Sequence, residues 1–194
     1  EQRFDPASVH TYKDFSRIPV ISKDSYIRTS PFRDLLPDRD MSRLITFSAT
    51  SGSSGVPTYF PRTAESDAQY QFITDIFLRH QFQVHEKSTL GIIGFGLGIW
   101  IGGMFTYKVM SSIAESRRYR FSLAPTGPLI DTYLSTLKAF GTHYDQVLLM
   151  GYPPFIRDVV DAAEEQGIHW KDYSVKILTA AEGFSEPFRS YIAE

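Results

Sequence analysis

The residues with the clearest chemical potential form a small-residue loop, Ala-Thr-Ser-Gly-Ser-Ser-Gly-Val-Pro-Thr, from Ala49 to Thr58. Its glycines let the backbone approach a ligand closely, and its N–H groups and hydroxyls are donors, which is what a polyphosphate requires. A flexible polar turn has the same composition, so composition alone leaves that alternative open. The loop is not a Walker P-loop, because Val56 and Pro57 stand where that loop has Lys-Ser or Lys-Thr. The order Gly-Ser-Ser-Gly is also not that of a nucleophile elbow.

The surrounding pattern predicts the elements that would hold this loop. A strand is predicted over 43–48, directly before the loop, and Thr63 is predicted to cap a helix from Ala64 to Phe82. Strands and helices then alternate, with strands predicted over 89–94, 119–123, 145–150 and 174–179 and helices over 103–115, 129–140, 153–166 and 185–193. This alternation predicts an α/β fold with a mainly parallel β-sheet flanked by helices.

The predicted organisation is a lead-in followed by a core. Residues 1–40 are polar and interrupted by prolines, with one short helix predicted over 22–28 and capped by Ser22, and residues 41–194 form the α/β nucleotide-binding core. Ligands bind beyond the carboxyl ends of the strands in open parallel sheets. We therefore expect any site to be built from the loops at 49–57, 94–103, 151–153 and 179–183.

The loop at 49–58 resembles the phosphate-binding motif of the adenylate-forming enzymes, in the form found in phenylacetate–CoA ligases, Ser-Ser-Gly-Thr-Thr-Gly-Lys-Pro-Thr. Three further segments agree in order. Residues 17–24 are similar to the family's Pro-x-x-x-Lys-x-Asp lead-in, and Gly94-Phe95-Gly96-Leu97 with Ile101-Gly102-Gly103 resembles its Tyr-Gly-Leu-Phe-x-Gly-Gly loop. Residues 180–189 are similar to its Gly-Ala-Glu-Pro-Trp-Ser-x-x-x-Arg segment. The resemblance spans most of the chain and implies part of the large N-terminal domain of such an enzyme.

The resemblance implies ATP-dependent activation of a small carboxylic acid as an acyl-adenylate, followed by transfer to a thiol such as coenzyme A, with Mg²⁺ accompanying ATP. It assigns the ATP phosphates to Thr50, Ser51, Gly52, Ser53, Ser54, Gly55 and Thr58, and the adenine to Ala181, Glu182 and Gly183. The substrate pocket would be lined by Phe95, Gly96, Trp100, Tyr152 and Pro153. No catalytic residue and no protein metal ligand is assigned.

The departures from the family pattern leave other functions open. Val56 replaces the usual Lys, Gly183 replaces the usual Pro, and two extra residues stand near Ile99 and Trp100. The family's Mg²⁺-binding Glu and catalytic Lys would lie beyond Glu194, so we expect a C-terminal portion of the same protein as partner and no ligase turnover from the 194 residues alone. The alternatives are an acyl-protein synthetase, or a non-catalytic ligand-binding or scaffold domain of the same fold.

Composition excludes several classes of function. The formal net charge is −2, from 20 basic and 22 acidic residues, which gives no general attraction to nucleic acid or anionic membranes. There is no cysteine, so disulfides, thiolate nucleophiles and Cys-ligated zinc are excluded. The uncharged stretch between Lys87 and Lys108 contains six glycines, which favours a strand and loop over a membrane helix. We expect a cytoplasmic location, and the oligomeric state stays open, a homodimer included.

Three further patterns favour ordinary structural roles. The five histidines lack the spacing of a metal site. Ser135-Thr136-Leu137-Lys138 has the Ser-x-x-Lys spacing of penicillin-recognising enzymes, but the companion motifs are absent. The acidic residues between 158 and 165 lie opposite apolar ones in a predicted helix, as on a solvated helix face.

Overall fold

The computed structural model describes residues 4–50, 55 and 57–193. The chain divides into two units, one ending at Arg43 and the other starting at Leu44. The first unit consists of short turns: 3₁₀ turns at Pro6–Ser8, Tyr12–Arg17, Phe32–Leu35 and Pro37–Arg39, and a π-helical turn at Lys23–Ile27. Ser22 caps the π-helical turn, as the sequence predicts, because its hydroxyl accepts a hydrogen bond from the Ser25 N–H at 3.1 Å.

The second unit begins with a β-hairpin. Strand β1 (Leu44–Thr50) pairs antiparallel with β2 (Thr58–Thr63) in a two-stranded sheet of their own. The sequence predicts β1 but not β2, since only a small-residue loop was expected between the first strand and the Thr63 cap. Pro61, in the middle of the segment, gives no strand signal. Within the described residues β2 pairs only with β1, and proline is tolerated in such edge strands.

The main sheet contains four parallel strands in the order β4-β3-β5-β6, namely β3 (Thr89–Ile93), β4 (Phe121–Ala124), β5 (Gln146–Gly151) and β6 (Val175–Thr179). The helices are α1 (Ala64–Phe82), α2 (Thr106–Glu115), α3 (Ile130–Phe140), α4 (Pro153–Glu165) and α5 (Glu186–Ala193). A π-helical turn at Ile101–Phe105 precedes α2, and 3₁₀ turns lie at Gly141–His143 and Trp170–Asp172. The predicted α/β fold with a parallel sheet flanked by helices is confirmed.

Alternating side chains of the central strand β5 pack on opposite faces of the sheet. Leu148 and Met150 contribute to an apolar cluster with buried residues of α1 and α2. Val147 and Leu149 contribute to a second cluster with buried residues of α3 and α4. Successive strand residues point to opposite faces, so a strand covered on both sides is apolar at every position, which explains the continuous Val-Leu-Leu-Met run.

The order of the strands creates a switch point between β3 and β5. The chain leaves β3 to form β4 on one side, and then crosses to β5 and β6 on the other side. In open α/β sheets, the crevice beyond the carboxyl ends of the strands at such a point is the usual ligand position. We therefore expect a ligand to bind at the loops that leave β3 and β5.

None of the helices in the described part of the chain combines the length and the apolar character that a membrane span requires. The segment between Lys87 and Lys108 instead forms β3, a glycine-rich loop, the π-helical turn and the start of α2.

Candidate functional site

The loops that leave the parallel strands meet at one edge of the sheet, which we call the rim (residues 94–103, 125–129, 151–153 and 179–183). Gly94, directly after β3, donates its N–H to the Met150 carbonyl of β5 at 2.7 Å. The N–H of Gly127 and the hydroxyl of Thr126 donate to the Ile93 carbonyl at 2.9 and 3.2 Å. The loop after β4 is thus part of the rim, although the sequence analysis did not include it. The Thr-Gly-Pro sequence of this loop is a turn signal that could have identified it.

Gly94 lies at the switch point, where there is no space for a larger residue. A Cβ atom at this position would lie 2.2 Å from Phe155, 2.8 Å from Tyr133 and 2.9 Å from the Met150 carbonyl oxygen. The last contact involves backbone, which cannot move aside as a flexible side chain can. Glycine is therefore required here for close packing, and the loop after β3 leaves the sheet along a fixed path.

The hairpin is attached to this rim. The N–H of Ala49, in β1, donates to the Ile99 carbonyl at 2.9 Å, and Ala49 forms an isolated parallel bridge with Trp100. The loop at 49–57 was expected to leave a strand of the parallel sheet. That expectation is wrong in its topology, because the loop connects two antiparallel strands. The hydrogen bond from Ala49 nevertheless holds the end of β1 beside the loop that follows β3.

Two threonines flank the Ser/Gly loop. Thr50 stands opposite Thr58 in the hairpin register, and both hydroxyl oxygens are buried without a hydrogen-bond partner among the described residues. Thr58 is only 4% exposed, so its unpaired hydroxyl carries a desolvation cost. Gly55 has a φ of 76°, a left-handed conformation that favours glycine. Ser51, Gly52, Ser53, Ser54 and Val56 lie outside the described residues.

The residues expected along the adenine follow β6 at the rim. Ala181 has a φ of 78°, which is an uncommon conformation for a residue with a Cβ atom. Such strain is frequent at ligand-binding turns. Glu182 and Gly183 are exposed, and a Cβ on Gly183 would contact nothing within 4 Å. This segment is therefore exposed to solvent at the rim.

The five residues expected in the substrate pocket lie in two places. Phe95 is buried, and the Trp100 ring lies beside Gly96, since a Cβ on Gly96 would be 3.2 Å from the Trp100 Cδ1 atom. Tyr152 and Pro153 are instead at the start of α4, where the Tyr152 ring packs 5.8 Å from that of Phe155. Phe155 belongs to the apolar cluster on the α3 and α4 face.

A pocket of about 540 Å³ opens between α1, α2 and the end of β6. Of the five residues predicted for the substrate pocket, only Phe95 lines it. Ala181 connects it with the segment expected to hold adenine. Its lining is mostly apolar and includes Arg62, Tyr70, Ile73, Thr74, Phe77, Phe95, Ile101, Gly102, Phe105, Thr106, Val109, Met110, Leu178, Thr179, Ala180 and Ala181.

Arg62 is the only basic residue in that lining, and its neighbours fix its position. Its Nε donates to the Asp67 Oδ1 at 3.2 Å, and its guanidinium carbon lies 3.8 Å from the centre of the Phe105 ring. Asp67 also accepts a hydrogen bond from the Lys108 ammonium through its other oxygen. The Phe105 ring in turn packs 4.5 Å from Tyr70. Cation–π stacking and a paired carboxylate hold the guanidinium at the pocket.

This lining has no signature in the sequence, because it comes from the packing of two helices. Ile73 and Phe77 lie within the helix predicted from Ala64 to Phe82, and Arg62 precedes the Thr63 cap without any motif. No local sequence signal distinguishes a helix side chain that lines a pocket from one that fills a core. The pocket exists only because α1 and α2 pack side by side in the folded chain.

The fold is similar to that of a known enzyme. The open conformation of 2-hydroxyisobutyryl-CoA ligase, in complex with 2-HIB-AMP and CoA, matches 97% of this chain and 43% of that chain, with a TM-score of 0.69 and 18% identity. This chain has the fold of part of a CoA ligase. The same ligase in its postadenylation state with 2-HIB-AMP has a TM-score of 0.64 and 19% identity over 92% of this chain and 36% of that chain. In its thioesterification state with 2-HIB-AMP and CoA it has a TM-score of 0.63 and 20% identity over 91% and 36%.

The resemblance stated from the sequence is thus confirmed at the level of the fold. The chain spans between 36% and 43% of the length of the 2-hydroxyisobutyryl-CoA ligase chains it matches. No protein-family model matches the sequence, and a search of curated proteins finds no similar sequence.

Proposed function

We propose that this chain is the ATP-binding part of an enzyme that activates a carboxylic acid as an acyl-adenylate and transfers it to a thiol such as coenzyme A. The observation that carries the proposal is the hydrogen bond from Ala49 to Ile99, which holds the strand leading into the Ser/Gly loop at the sheet rim. A loop rich in donors at the carboxyl ends of parallel strands is suited to a nucleotide. The fold shared with 2-hydroxyisobutyryl-CoA ligase supports the same function.

In this proposal the triphosphate is bound by the hairpin loop. The hydroxyls of Thr50 and Thr58 are buried and have no partner among the described residues, so a phosphate oxygen would satisfy both. The N–H groups and hydroxyls of residues 51–55 would supply further donors. The adenine would lie against Ala181, Glu182 and Gly183, which are exposed at the rim.

The reaction would then proceed in two displacements. A carboxylate oxygen attacks the α-phosphorus of ATP, the bond to the β-phosphate breaks, and pyrophosphate leaves. The thiolate sulfur next attacks the carbonyl carbon of the acyl-adenylate, the bond from that carbon to the phosphate oxygen breaks, and AMP leaves. The protein's contribution in the first step is to hold the carboxylate and the phosphate in line and to stabilise charge on the phosphate oxygens.

Mg²⁺ would accompany ATP, but we assign it no protein ligands. Among the described residues, no three His, Asp or Glu side chains form a group that could hold a metal ion. The described residues therefore do not fit a complete protein site for Mg²⁺, and no step above is assigned to one.

Titration of the 194-residue chain with ATP and Mg²⁺, followed by calorimetry, tests the proposal. We expect saturable binding, and we expect the Ser53→Ala/Ser54→Ala double variant to bind at least about tenfold more weakly, because two donors to a charged group are lost. The Ser135→Ala/Thr136→Ala variant removes two hydroxyls from the exposed side of α3 and serves as the matched control. It should bind ATP as the unchanged chain does.

Two outcomes would favour another function. Absence of ATP binding, or binding that the Ser53→Ala/Ser54→Ala change leaves intact, would favour a scaffold domain that has kept the fold without the chemistry. The replacement of the usual Lys by Val56 is the sequence feature that makes this the main alternative. An acyl-protein synthetase would bind ATP equally, and only the final acyl acceptor in the whole protein distinguishes it.

A further inference from the structure

We propose that the pocket between α1 and α2 binds the apolar body of a carboxylic acid, and that Arg62 binds its carboxylate at the end nearest the rim. This inference rests on the proposed function, because it names the residue that would position the acid for activation. The pocket differs from the one expected from the sequence, with which it shares only Phe95.

The guanidinium of Arg62 has N–H donors that no described residue accepts from. Its side chain is 17% exposed, and within the described part of the chain its only hydrogen bond is from Nε to Asp67. Both terminal nitrogens therefore retain N–H groups that face no protein acceptor there. Because Arg62 lines the pocket, these N–H groups can pair with an acceptor on a ligand bound there.

The local charge favours an anion. Asp67 accepts from Arg62 with one carboxylate oxygen and from Lys108 with the other, so two cations share one anion. Asp67 sets one negative charge against these two positive ones, and Arg62 is the basic side chain among the described residues that line the pocket. A carboxylate can be buried at low cost only where it is paired with such a charge, and guanidinium matches it in a bidentate geometry.

The rest of the lining favours an apolar body. Phe95, Phe105, Val109, Met110 and Leu178 form a continuous apolar surface, and Ile73 and Phe77 of α1 stand on its other side. A volume of about 540 Å³ lies in the range of small-molecule sites. A lining of this kind contributes affinity through the area removed from water, without selecting polar groups.

The direction of α1 places the positive charge of Arg62 at the end of the pocket that lies nearest the rim. The last residue of α1, Phe82, accepts a hydrogen bond at its carbonyl from the side chain of Gln146, the first residue of β5. The end of α1 therefore lies at the amino end of the sheet. Arg62 precedes the first turn of a helix about 28 Å long, so it lies toward the carboxyl ends of the strands, where the rim is. The acid would thus present its carboxylate to the rim, with its body extending between the helices.

Calorimetric titration of the chain with three ligands of the same eight-carbon body, octanoate, octan-1-ol and octylammonium, tests the inference. We expect octanoate to bind at least about tenfold more tightly than octan-1-ol, and octylammonium to bind most weakly, because only the first pairs with a cation. Arg62→Met should weaken octanoate binding by about tenfold or more and leave octan-1-ol within about twofold. Arg62→Lys should restore part of the loss for octanoate, whereas a purely structural role of Arg62 would make Arg62→Met weaken octanoate and octan-1-ol binding together.

A second pair of variants tests the groove itself without risk to the core. Ile73 and Phe72 are neighbours on α1, and both are exposed, but only Ile73 lines the pocket. Ile73→Asp should weaken octanoate binding by about tenfold, through repulsion and loss of apolar contact, whereas Phe72→Asp should not change it. Circular dichroism of each variant verifies folding before titration.

The results separate this inference from the proposed function. Equal binding of octanoate and octylammonium, no binding of octanoate, or octanoate affinity unchanged by Arg62→Met would overturn the inference. So would an Arg62→Met variant that loses affinity for ATP but not for octanoate, because Arg62 would then serve the phosphates. Octanoate binding through Arg62 in a chain that does not bind ATP would instead retain the pocket and reject ATP-dependent activation.

Discussion

The hydroxyl of Tyr133 accepts a hydrogen bond from the N–H of Met150 at 2.9 Å. The same hydroxyl donates to the Ile92 carbonyl at 3.2 Å, so a side chain of α3 joins β3 to β5 at the switch point of the sheet. The ring is fully buried and packs edge-on against Phe155 at 5.4 Å. This contact lies directly beneath Gly94 and fixes the position from which the rim loops leave the sheet.

Tyr133→Phe should lower the free energy of unfolding by about 1–3 kcal/mol, because it leaves a buried N–H and a buried carbonyl without this partner. Urea denaturation measures the loss. Tyr144→Phe is the matched control, since its half-buried ring packs on the same cluster and its hydroxyl has no hydrogen bond to the described residues. It should change the stability by less than about 0.5 kcal/mol. Equal effects of the two changes would contradict the role assigned to the Tyr133 hydroxyl.

Ionisation of Tyr133 should lower the free energy of unfolding at high pH. Burial raises the pKa of Tyr133 above its ordinary value, whereas in the unfolded chain its pKa is about 10. The stability that depends on the neutral phenol is therefore complete below about pH 10 and is lost as pH rises beyond it, by about 1.4 kcal/mol per pH unit. The stability difference between wild type and Tyr133→Phe should shrink between pH 9 and pH 11. A difference independent of pH would contradict the prediction.

Ala181 is predicted to be a site of backbone strain. Its φ of 78° costs a residue with a Cβ atom about 1–2 kcal/mol, and glycine avoids that cost. Glycine also gives the unfolded chain more freedom, so Ala181→Gly should stabilise the protein by up to about 1 kcal/mol. Ala180→Gly, one residue earlier and without a positive φ, should destabilise it by about 0.5–1 kcal/mol. Thermal melts of the two variants should therefore shift in opposite directions, and shifts of the same sign would contradict the strain.

Gly94 is predicted to be irreplaceable for reasons of space. A Cβ would lie 2.2 Å from Phe155 and 2.9 Å from the Met150 carbonyl oxygen, so Gly94→Ala should cost about 2–3 kcal/mol or prevent folding. Gly183→Ala is the control, since its Cβ would meet nothing within 4 Å and its φ is not positive. It should alter the stability by less than about 0.5 kcal/mol. If the Gly94→Ala variant were as stable as the Gly183→Ala variant, the packing around Gly94 would not exclude a larger residue.

Local signals were sufficient to predict most elements of the fold. The bounds of α1 were predicted to the residue, because Thr63 caps it and its hydroxyl accepts from the Ser66 N–H at 3.3 Å. The four parallel strands were found within about two residues, since a strand covered on both faces forms an apolar run. Helix α2 begins three residues later than predicted, because the π-helical turn at Ile101–Phe105 intervenes.

The remaining features depend on contacts between distant segments. β2 was missed because pairing with β1 overrides the signal of Pro61. Arg62 was missed because its importance arises from stacking on Phe105 and pairing with Asp67, neither of which has a sequence pattern. The resemblance implies that Tyr152 and Pro153 line a substrate pocket, and the structure places them after β5 at the rim, where they begin α4. The site residues expected from the resemblance therefore stay predictions, and the experiments on ATP decide them.

Thr58 offers the sharpest test of those predictions, because stability and affinity should respond in opposite directions. Its hydroxyl is buried without a partner among the described residues, so Thr58→Val removes a desolvation cost and should leave the stability unchanged or raise it by up to about 1 kcal/mol. If the hydroxyl donates to a phosphate oxygen, the same change should weaken ATP binding by about fivefold to tenfold. Thr46→Val, at an exposed position of the same hairpin, should alter neither quantity appreciably. Loss of stability with unchanged ATP affinity would show that the hydroxyl serves the hairpin rather than a nucleotide.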